Sequence, residues 1–161
     1  MEDNFKRIKT SLKIKTCIVC NKCPLKLYAK DDSCVEYGKG FLLPKYIFVL
    51  PSEKDDSKIE EYLHTICKDL INLDEQYITY NPKCYTNNNE LKHHTEQCDK
   101  YLVYEINKLK PKKVIFFGVD IPKELYNIKH NIELYKFNNL LSIQYGSKTI
   151  QDFINSLKKV L

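Results

Sequence analysis

The chain has 161 residues, of which 43% are hydrophobic and 29% are charged, and its formal net charge at pH 7 is +5. This length and composition predict a single globular domain, over residues 1–161, that can form a core without disulfide bonds. No apolar run approaches the roughly 18 residues of a membrane span, and the N-terminus lacks the apolar segment of a secretory signal. We therefore expect a cytoplasmic protein with no membrane partner.

Apolar spacing predicts helices and strands that alternate along the chain. Helices are predicted over residues 3–13, 56–72 and 95–109, as a short segment after Pro122, and over 149–161. Strands are predicted at YIFVL (46–50), YITY (77–80), KKVIFFG (112–118), LYKF (134–137) and LLSIQY (140–145). This alternation predicts an α/β architecture around a mainly parallel sheet.

Parallel sheets of this kind bind ligands beyond the carboxyl ends of their strands. The loops that begin at Pro51, Asn81, Gly118 and Gly146 follow the predicted strands. We therefore expect any chemistry to lie in these loops.

Seven cysteines in a reducing compartment indicate metal or cluster ligation rather than disulfide bonds. Cys17 and Cys20 form a C-x-x-C pair, and Cys84 and Cys98 form a second, wider pair. Four thiolates suit either one tetrahedral zinc ion or one 4Fe–4S cluster. The spacing by itself leaves both open.

A second ligand set is also compatible with the sequence. CIVCNKC is similar to the C-x2-C-x2-C run of ferredoxins, so that Cys23 and Cys34 would complete the first pair locally. Cys67 lies on the inward face of a predicted helix and is interpreted as a small buried residue. His93 and His94 can ligate zinc, but at a polar helix start we interpret them as solvated or capping residues.

A longer pattern of motifs surrounds these cysteines. After the C-x-x-C pair come VEYGKG, the strand IFVL, YITYNPKC, a polar loop with a second cysteine, and KYLVYEINKLKPKKVIFFG. This order resembles the iron–sulfur uracil-DNA glycosylases, the family-4 type of the uracil-DNA glycosylase superfamily, over roughly residues 17–161. The similarity is most specific around residues 77–118.

The resemblance implies a three-layer fold in which helices flank a central, mainly parallel four-stranded sheet. It also implies that Cys17, Cys20, Cys84 and Cys98 bind a 4Fe–4S cluster, with zinc as the alternative cofactor. DNA is the partner that the resemblance implies, and the small, lysine-rich chain is compatible with a viral or A/T-rich microbial source.

The catalytic motifs of that family do not carry over. Pro51 stands where the family's G-E-x-P-G loop positions the attacking water, and Glu53 follows two residues late. Tyr80 stands where an asparagine reads the base, with Asn81 one step late, and Tyr145 replaces the histidine that stabilises the leaving base. The loop with the stacking aromatic ring has no counterpart.

These departures predict a catalytically degenerate glycosylase-like protein that serves as a DNA-binding or complex-forming subunit in DNA replication, repair or transcription. The alternative is an active glycosylase for uracil or another modified base whose catalytic groups have moved to Glu53, Asp55, Asn81 and Tyr145. The polar residues expected to contact DNA are Ser52, Lys83, Lys92, Ser147 and Lys148.

Overall fold

The structure is a computed structural model that describes residues 38–52, 56–83, 96–128, 131–143 and 147–161. Its strands are β1 (Lys39–Gly40), β2 (Tyr46–Leu50), β3 (Tyr77–Tyr80), β4 (Lys113–Phe117) and β5 (Glu133–Phe137). Its α-helices are α1 (Asp56–Cys67), α2 (Glu96–Leu109) and α3 (Ser147–Val160). Short 3-10 helices lie at Leu73–Glu75, Lys123–Asn127 and Leu140–Ile143.

The five strands form one mixed sheet in the order β1-β3-β2-β4-β5. Strands β3, β2, β4 and β5 are parallel to their neighbours, and only β1 runs antiparallel, against β3. The parallel strands therefore share one carboxyl edge, at which β2, β3, β4 and β5 end, and one amino edge, at which they begin.

Strand β2 shows why the sheet is covered on both faces. All five of its residues are buried, and they alternate between two apolar clusters. Tyr46, Phe48 and Leu50 pack with residues of α1 and α3, whereas Ile47 and Val49 pack with residues of α2. A strand buried on both faces reads as a continuous apolar run, as YIFVL does.

Most predicted elements are confirmed. The strands at 46–50, 77–80, 112–118 and 134–137 and the helices at 95–109 and 149–161 lie within two residues of their predicted bounds, and the short helix after Pro122 is of the 3-10 type. The predicted helix at 3–13 lies outside the described residues. The α/β class is thereby confirmed.

Three predictions about the elements were wrong. Helix α1 ends at Cys67 rather than at residue 72, because the carbonyl of Cys67 accepts hydrogen bonds from the amides of Leu70 and Ile71 in a closing turn. Residues 140–143 form a 3-10 helix rather than a strand, because the Asn139 side chain accepts from the amide of Leu141, 3.0 Å away. Within the described residues the sheet has five strands rather than four.

The additional strand, β1, depends on glycine. A Cβ on Gly38 would lie 2.3 Å from the carbonyl oxygen of Ile78, and one on Gly40 would lie 2.1 Å from that of Gln76. Gly40 also has a φ of +133°, which side chains rarely tolerate. The two glycines of YGKG therefore allow this segment to approach β3 closely enough to pair with it.

Candidate functional site

The loops after β2 and β3 meet at the carboxyl edge of the sheet. Leu50 and Tyr80 are partners in register, and the amide of Asn81 donates to the carbonyl of Leu50 at 3.0 Å. Ser52 and Asn81 are both buried, with 9% and 2% of their surface exposed. The expectation that these loops converge is confirmed for Pro51 and Asn81, and Gly118 ends β4 at the same edge. Gly146 lies outside the described residues, and β5 ends earlier, at Phe137.

A buried carboxylate organises this edge. Glu105 is 3% exposed and lies on the inward face of α2. Its Oε1 accepts hydrogen bonds from the amide of Gly38 at 2.6 Å and from the Tyr77 hydroxyl at 2.9 Å, and its Oε2 accepts from the Thr79 hydroxyl at 2.9 Å. These donors offset the cost of removing the charge from water.

Lys83 completes the cluster. Its side chain is 0% exposed; its Nζ forms an ion pair with Glu105 Oε2 and donates to Thr79 Oγ1 at 2.6 Å. The phosphate contact predicted for Lys83 is therefore corrected, since a buried, paired ammonium is not available to a ligand at the surface. We name Gly38, Tyr77, Thr79, Lys83 and Glu105 the buried polar cluster.

The segment that carries Lys83 contacts α2 beside Cys98. Asn81 Nδ2, two residues before Lys83, donates at 2.8 Å to Oδ1 of Asp99, the residue that follows Cys98. Cys98 is 2% exposed, in the first turn of α2. Burial lowers the pKa of Lys83 below its ordinary value, and the charge and hydrogen bond of Glu105 act in the opposite direction.

Cys67 has the opposite character. It is fully buried in the apolar cluster between the sheet and α1, and burial raises its pKa to about 12. A thiol with that pKa stays protonated at neutral pH and is a poor ligand. The interpretation of Cys67 as a small buried residue is confirmed.

Asn81 and Tyr80, the two residues at the predicted base-reading position, both have partners within the protein. The Tyr80 hydroxyl donates to Glu60 of α1, and Asn81 Nδ2 donates to Asp99 Oδ1 of α2 at 2.8 Å. Asn81 Oδ1 is buried and accepts no hydrogen bond from any described residue. Asn81 is therefore buried and Tyr80 is half-buried, and each has a polar partner on a helix.

Most of the other predicted site residues lie in parts of the chain that the structure does not describe. Cys17, Cys20, Glu53, Asp55, Cys84, Lys92 and Tyr145 lie outside the described residues, as do the alternative ligands Cys23 and Cys34. Ser147 and Lys148 begin α3, but their side chains are not described. In the described part of the chain no three metal-binding side chains are grouped, and Cys98 is the one proposed ligand it contains.

The sequence interpretation missed Glu105, Thr79 and Tyr77. A usable signal existed, because Glu105 follows Cys98 by seven residues and Leu102 by three, which puts a carboxylate on the apolar face of α2. A charged residue at such a position is paired when it is buried.

The chain was compared with protein-family profiles and with curated protein sequences. No protein-family profile matches the chain, and no curated protein sequence matches it at a significant level. No helix in the described ranges has the length and apolarity to cross a bilayer.

Proposed function

We propose that this protein is a uracil-DNA-glycosylase-like iron–sulfur protein that has lost efficient base excision and acts as a DNA-binding or complex-forming subunit. The proposal combines the motif resemblance with the contacts seen at the carboxyl edge of the sheet. The iron–sulfur cluster and the loss of excision are supported by different residues.

The observation that carries the proposal is the attachment of the segment that precedes Cys84 in sequence to α2, the helix that carries Cys98. Lys83 forms an ion pair with Glu105, and Asn81 Nδ2 donates to Asp99 Oδ1, next to Cys98, at 2.8 Å. Cys84 itself lies outside the described residues. Contact between these two segments supports the proposal that their cysteines share one cluster.

The segment that follows the first cysteine pair reaches the same helix. The amide of Gly38 donates to Glu105 Oε1 at 2.6 Å, which anchors the chain 18 residues after Cys20. The buried polar cluster therefore joins to one helix both chain segments that lead to the remaining ligands. When bound, a cluster would supply a rigid cross-link between these segments; Cys98 is the described residue that would hold it.

The parallel strands β3, β2, β4 and β5 also support the proposal. They form an array of four strands with helices on both faces, as the resemblance implies, although β1 extends the sheet by one strand. This arrangement is common to many α/β proteins, so it carries less weight than the ligand geometry.

Loss of excision is supported by the partners of Tyr80 and Asn81. Excision requires a base held outside the helical stack, stabilisation of its departing charge, and a water directed at the sugar. Asn81 is 2% exposed and donates to Asp99, and Tyr80 donates to Glu60. The Tyr80 hydroxyl and the Asn81 amide nitrogen are thus engaged within the protein, and removing one polar group that stabilises a transition state typically costs about 10²–10³ in rate.

One observation favours the alternative, an active glycosylase with relocated groups. Asn81 Oδ1 is a buried acceptor without a donor among the described residues, and a buried polar atom of this kind calls for a partner. In an altered active site a base or water would supply it.

The test is release of uracil from single-stranded and mismatched DNA by anaerobically purified protein, beside Asn81→Ala and Glu53→Gln variants. We expect no efficient release from any of the three proteins. Efficient release by the wild type that either substitution abolishes would establish the relocated active site and overturn the degenerate assignment.

A further inference from the structure

The amino edge of the sheet, opposite the candidate site, carries a group of lysines that have no acidic partner among the described residues. Lys45, Lys108, Lys110 and Lys112 are all exposed, and none forms an ion pair with a described residue. We name these four residues the amino-edge lysine patch. The segment INKLKPKK, over residues 106–113, contributes three of them and contains no acidic residue.

Backbone contacts bring the patch together. The carbonyl of Lys45 accepts from the amides of Lys112 and Lys113, at 3.0 and 3.3 Å, so the starts of β2 and β4 are adjacent. The amide of Lys110 donates to the carbonyl of Ile106 at 2.9 Å and closes the end of α2 beside them. The lysines therefore share one surface although Lys45 is distant in sequence.

Stabilisation of the fold explains only part of this arrangement. Lys108 lies in the last turn of α2, where a cation interacts favourably with the helix dipole, and its Nζ lies 5.5 Å from the centroid of the Tyr104 ring. The Nζ of Lys45 lies 4.7 Å from the centroid of the Tyr46 ring. These ring contacts leave both ammonium charges without an acidic partner in the described part of the chain. The four like charges repel one another, and a bound anion would offset that repulsion.

Lys110 adds an independent observation. It is the one described non-glycine residue with a positive φ, +47°, at the position after α2 where glycine or asparagine is favoured. A lysine there carries a conformational cost, and its exposed side chain makes no ion pair with a described residue. The presence of a strained lysine is explained if its charge contacts a ligand.

We propose that the amino-edge lysine patch binds the phosphate backbone of DNA, at a surface separate from the candidate site. This inference rests on the DNA-binding role proposed above and assigns it to particular residues. Lysines act as point charges toward phosphates, and DNA is the polyanion that the role proposed above supplies. Large exposed apolar side chains, which membrane association requires, are limited among the described residues to Leu43, Tyr104 and Tyr126.

The surroundings set a boundary to the patch. Asp69 and Glu75 line a cavity of about 390 Å³ together with Lys45 and Lys158, so acidic side chains border it on the side of α3. Glu133 borders the patch on the side of β5, where its amide donates to the carbonyl of Lys112 at 3.0 Å and its carboxylate pairs with Lys113 at 3.9 Å. Lys108, Lys110 and Lys112 do not line the cavity and form the part of the patch to be tested.

The experiment compares two triple variants by anisotropy of a labelled DNA duplex over a series of salt concentrations. Lys108→Gln, Lys110→Gln and Lys112→Gln together neutralise the patch. The control neutralises Lys100, Lys123 and Lys136, three exposed lysines toward the carboxyl edge, of which Lys136 forms an ion pair with Asp120. We expect the patch variant to lower the slope of log affinity against log salt by about 2.7, at about 0.9 for each phosphate that is no longer neutralised, and the control to keep the wild-type slope.

A single substitution separates a binding role from a structural one. Lys110→Gly relieves the positive φ and removes one charge, so we expect an unchanged or higher thermal midpoint together with a slope lowered by about 0.9. An unchanged slope would leave Lys110 without a role in binding and would contradict the proposal.

The remaining outcomes are also decisive. A loss of affinity in the control variant alone would place the DNA contact at the carboxyl edge, overturning this inference and leaving the proposed function intact. Absence of binding at low salt would overturn both this inference and the DNA-binding half of the function. Binding to phosphatidylserine vesicles but not to DNA would identify the patch as a membrane-contact surface instead.

Discussion

The two edges of the sheet use the same side chain in opposite ways. At the carboxyl edge Lys83 is completely buried, paired with Glu105 and surrounded by hydrogen-bond partners. At the amino edge Lys45, Lys108, Lys110 and Lys112 are exposed and have no acidic partner among the described residues. A buried charge requires partners in the fold, whereas an exposed charge is available to a ligand. A lysine's position in the sequence relative to the strands does not show whether it is paired inside the fold or free to contact a ligand. Its burial does show this.

The largest effect is expected from breaking the buried ion pair. Lys83→Met removes the cation and leaves Glu105 charged and buried, so we expect a loss of about 3–5 kcal/mol in the free energy of unfolding. Lys112→Met, at the exposed edge, is the matched control and should change it by less than about 0.5 kcal/mol. Urea unfolding of both variants measures the difference. Similar values for the two would mean that Lys83 is solvated, as its polar sequence context suggested.

A double variant sharpens this result. Combining Lys83→Met with Glu105→Gln removes the unpaired charge and keeps one carbonyl oxygen as the acceptor for Gly38 and Tyr77. The new amide nitrogen donates to the Thr79 hydroxyl oxygen in place of Lys83. We expect the double variant to be more stable than Lys83→Met alone, because the penalty of the single variant arises mainly from the isolated carboxylate. A double variant no more stable than the single one would contradict this source of the penalty.

A smaller effect is expected at Gly38, where the chain meets the buried polar cluster. Gly38→Ala would place a Cβ 2.3 Å from the carbonyl oxygen of Ile78 and 2.5 Å from Cε1 of Tyr77. Separation of β1 from β3 relieves this overlap, and it weakens the hydrogen bond from the Gly38 amide to Glu105. We expect a loss of about 1–3 kcal/mol, measured by the same urea titration. Wild-type stability would show that β1 pairing contributes little.

The smallest effect is expected at Cys67, which lies at the amino-edge end of α1. Its pKa of about 12 keeps the thiol protonated, so alkylation of the folded protein at pH 8 should leave Cys67 unmodified while it proceeds in urea. Mass spectrometry of the digested protein locates the label. Rapid labelling of Cys67 before unfolding would contradict its burial.

The sequence was most informative where apolar side chains are continuous. YIFVL and KVIFF form β2 and β4 because strands buried on both faces need apolar residues at every position. It was less informative where pairing depends on a few atoms, as in β1, which is only two residues long, and at Leu140–Ile143, where the Asn139 side chain favours a 3-10 turn over a strand.

The position of the candidate site could be predicted from the sequence, but the roles of its individual residues were harder to predict. The convergence of the loops after β2 and β3 follows from parallel strand order, and the inward position of Cys98 follows from helical spacing. The burial of Lys83 did not follow, because its partner Glu105 is 22 residues away, on a different element. A lysine in a polar loop reads as exposed until the partner that neutralises it is located.

The central claim is the proposal that Cys98 is a cluster ligand, and iron analysis tests it most directly. Iron and acid-labile sulfide would be measured in anaerobically purified wild-type protein, in Cys98→Ala and, as the matched control, in Cys67→Ala. We predict about four irons for each chain in the wild type and in Cys67→Ala, and a bleached protein with little iron in Cys98→Ala. Zinc in place of iron in the wild type would contradict the claim. Full iron retention in Cys98→Ala would also contradict it and would favour the local ligand set that includes Cys23 and Cys34.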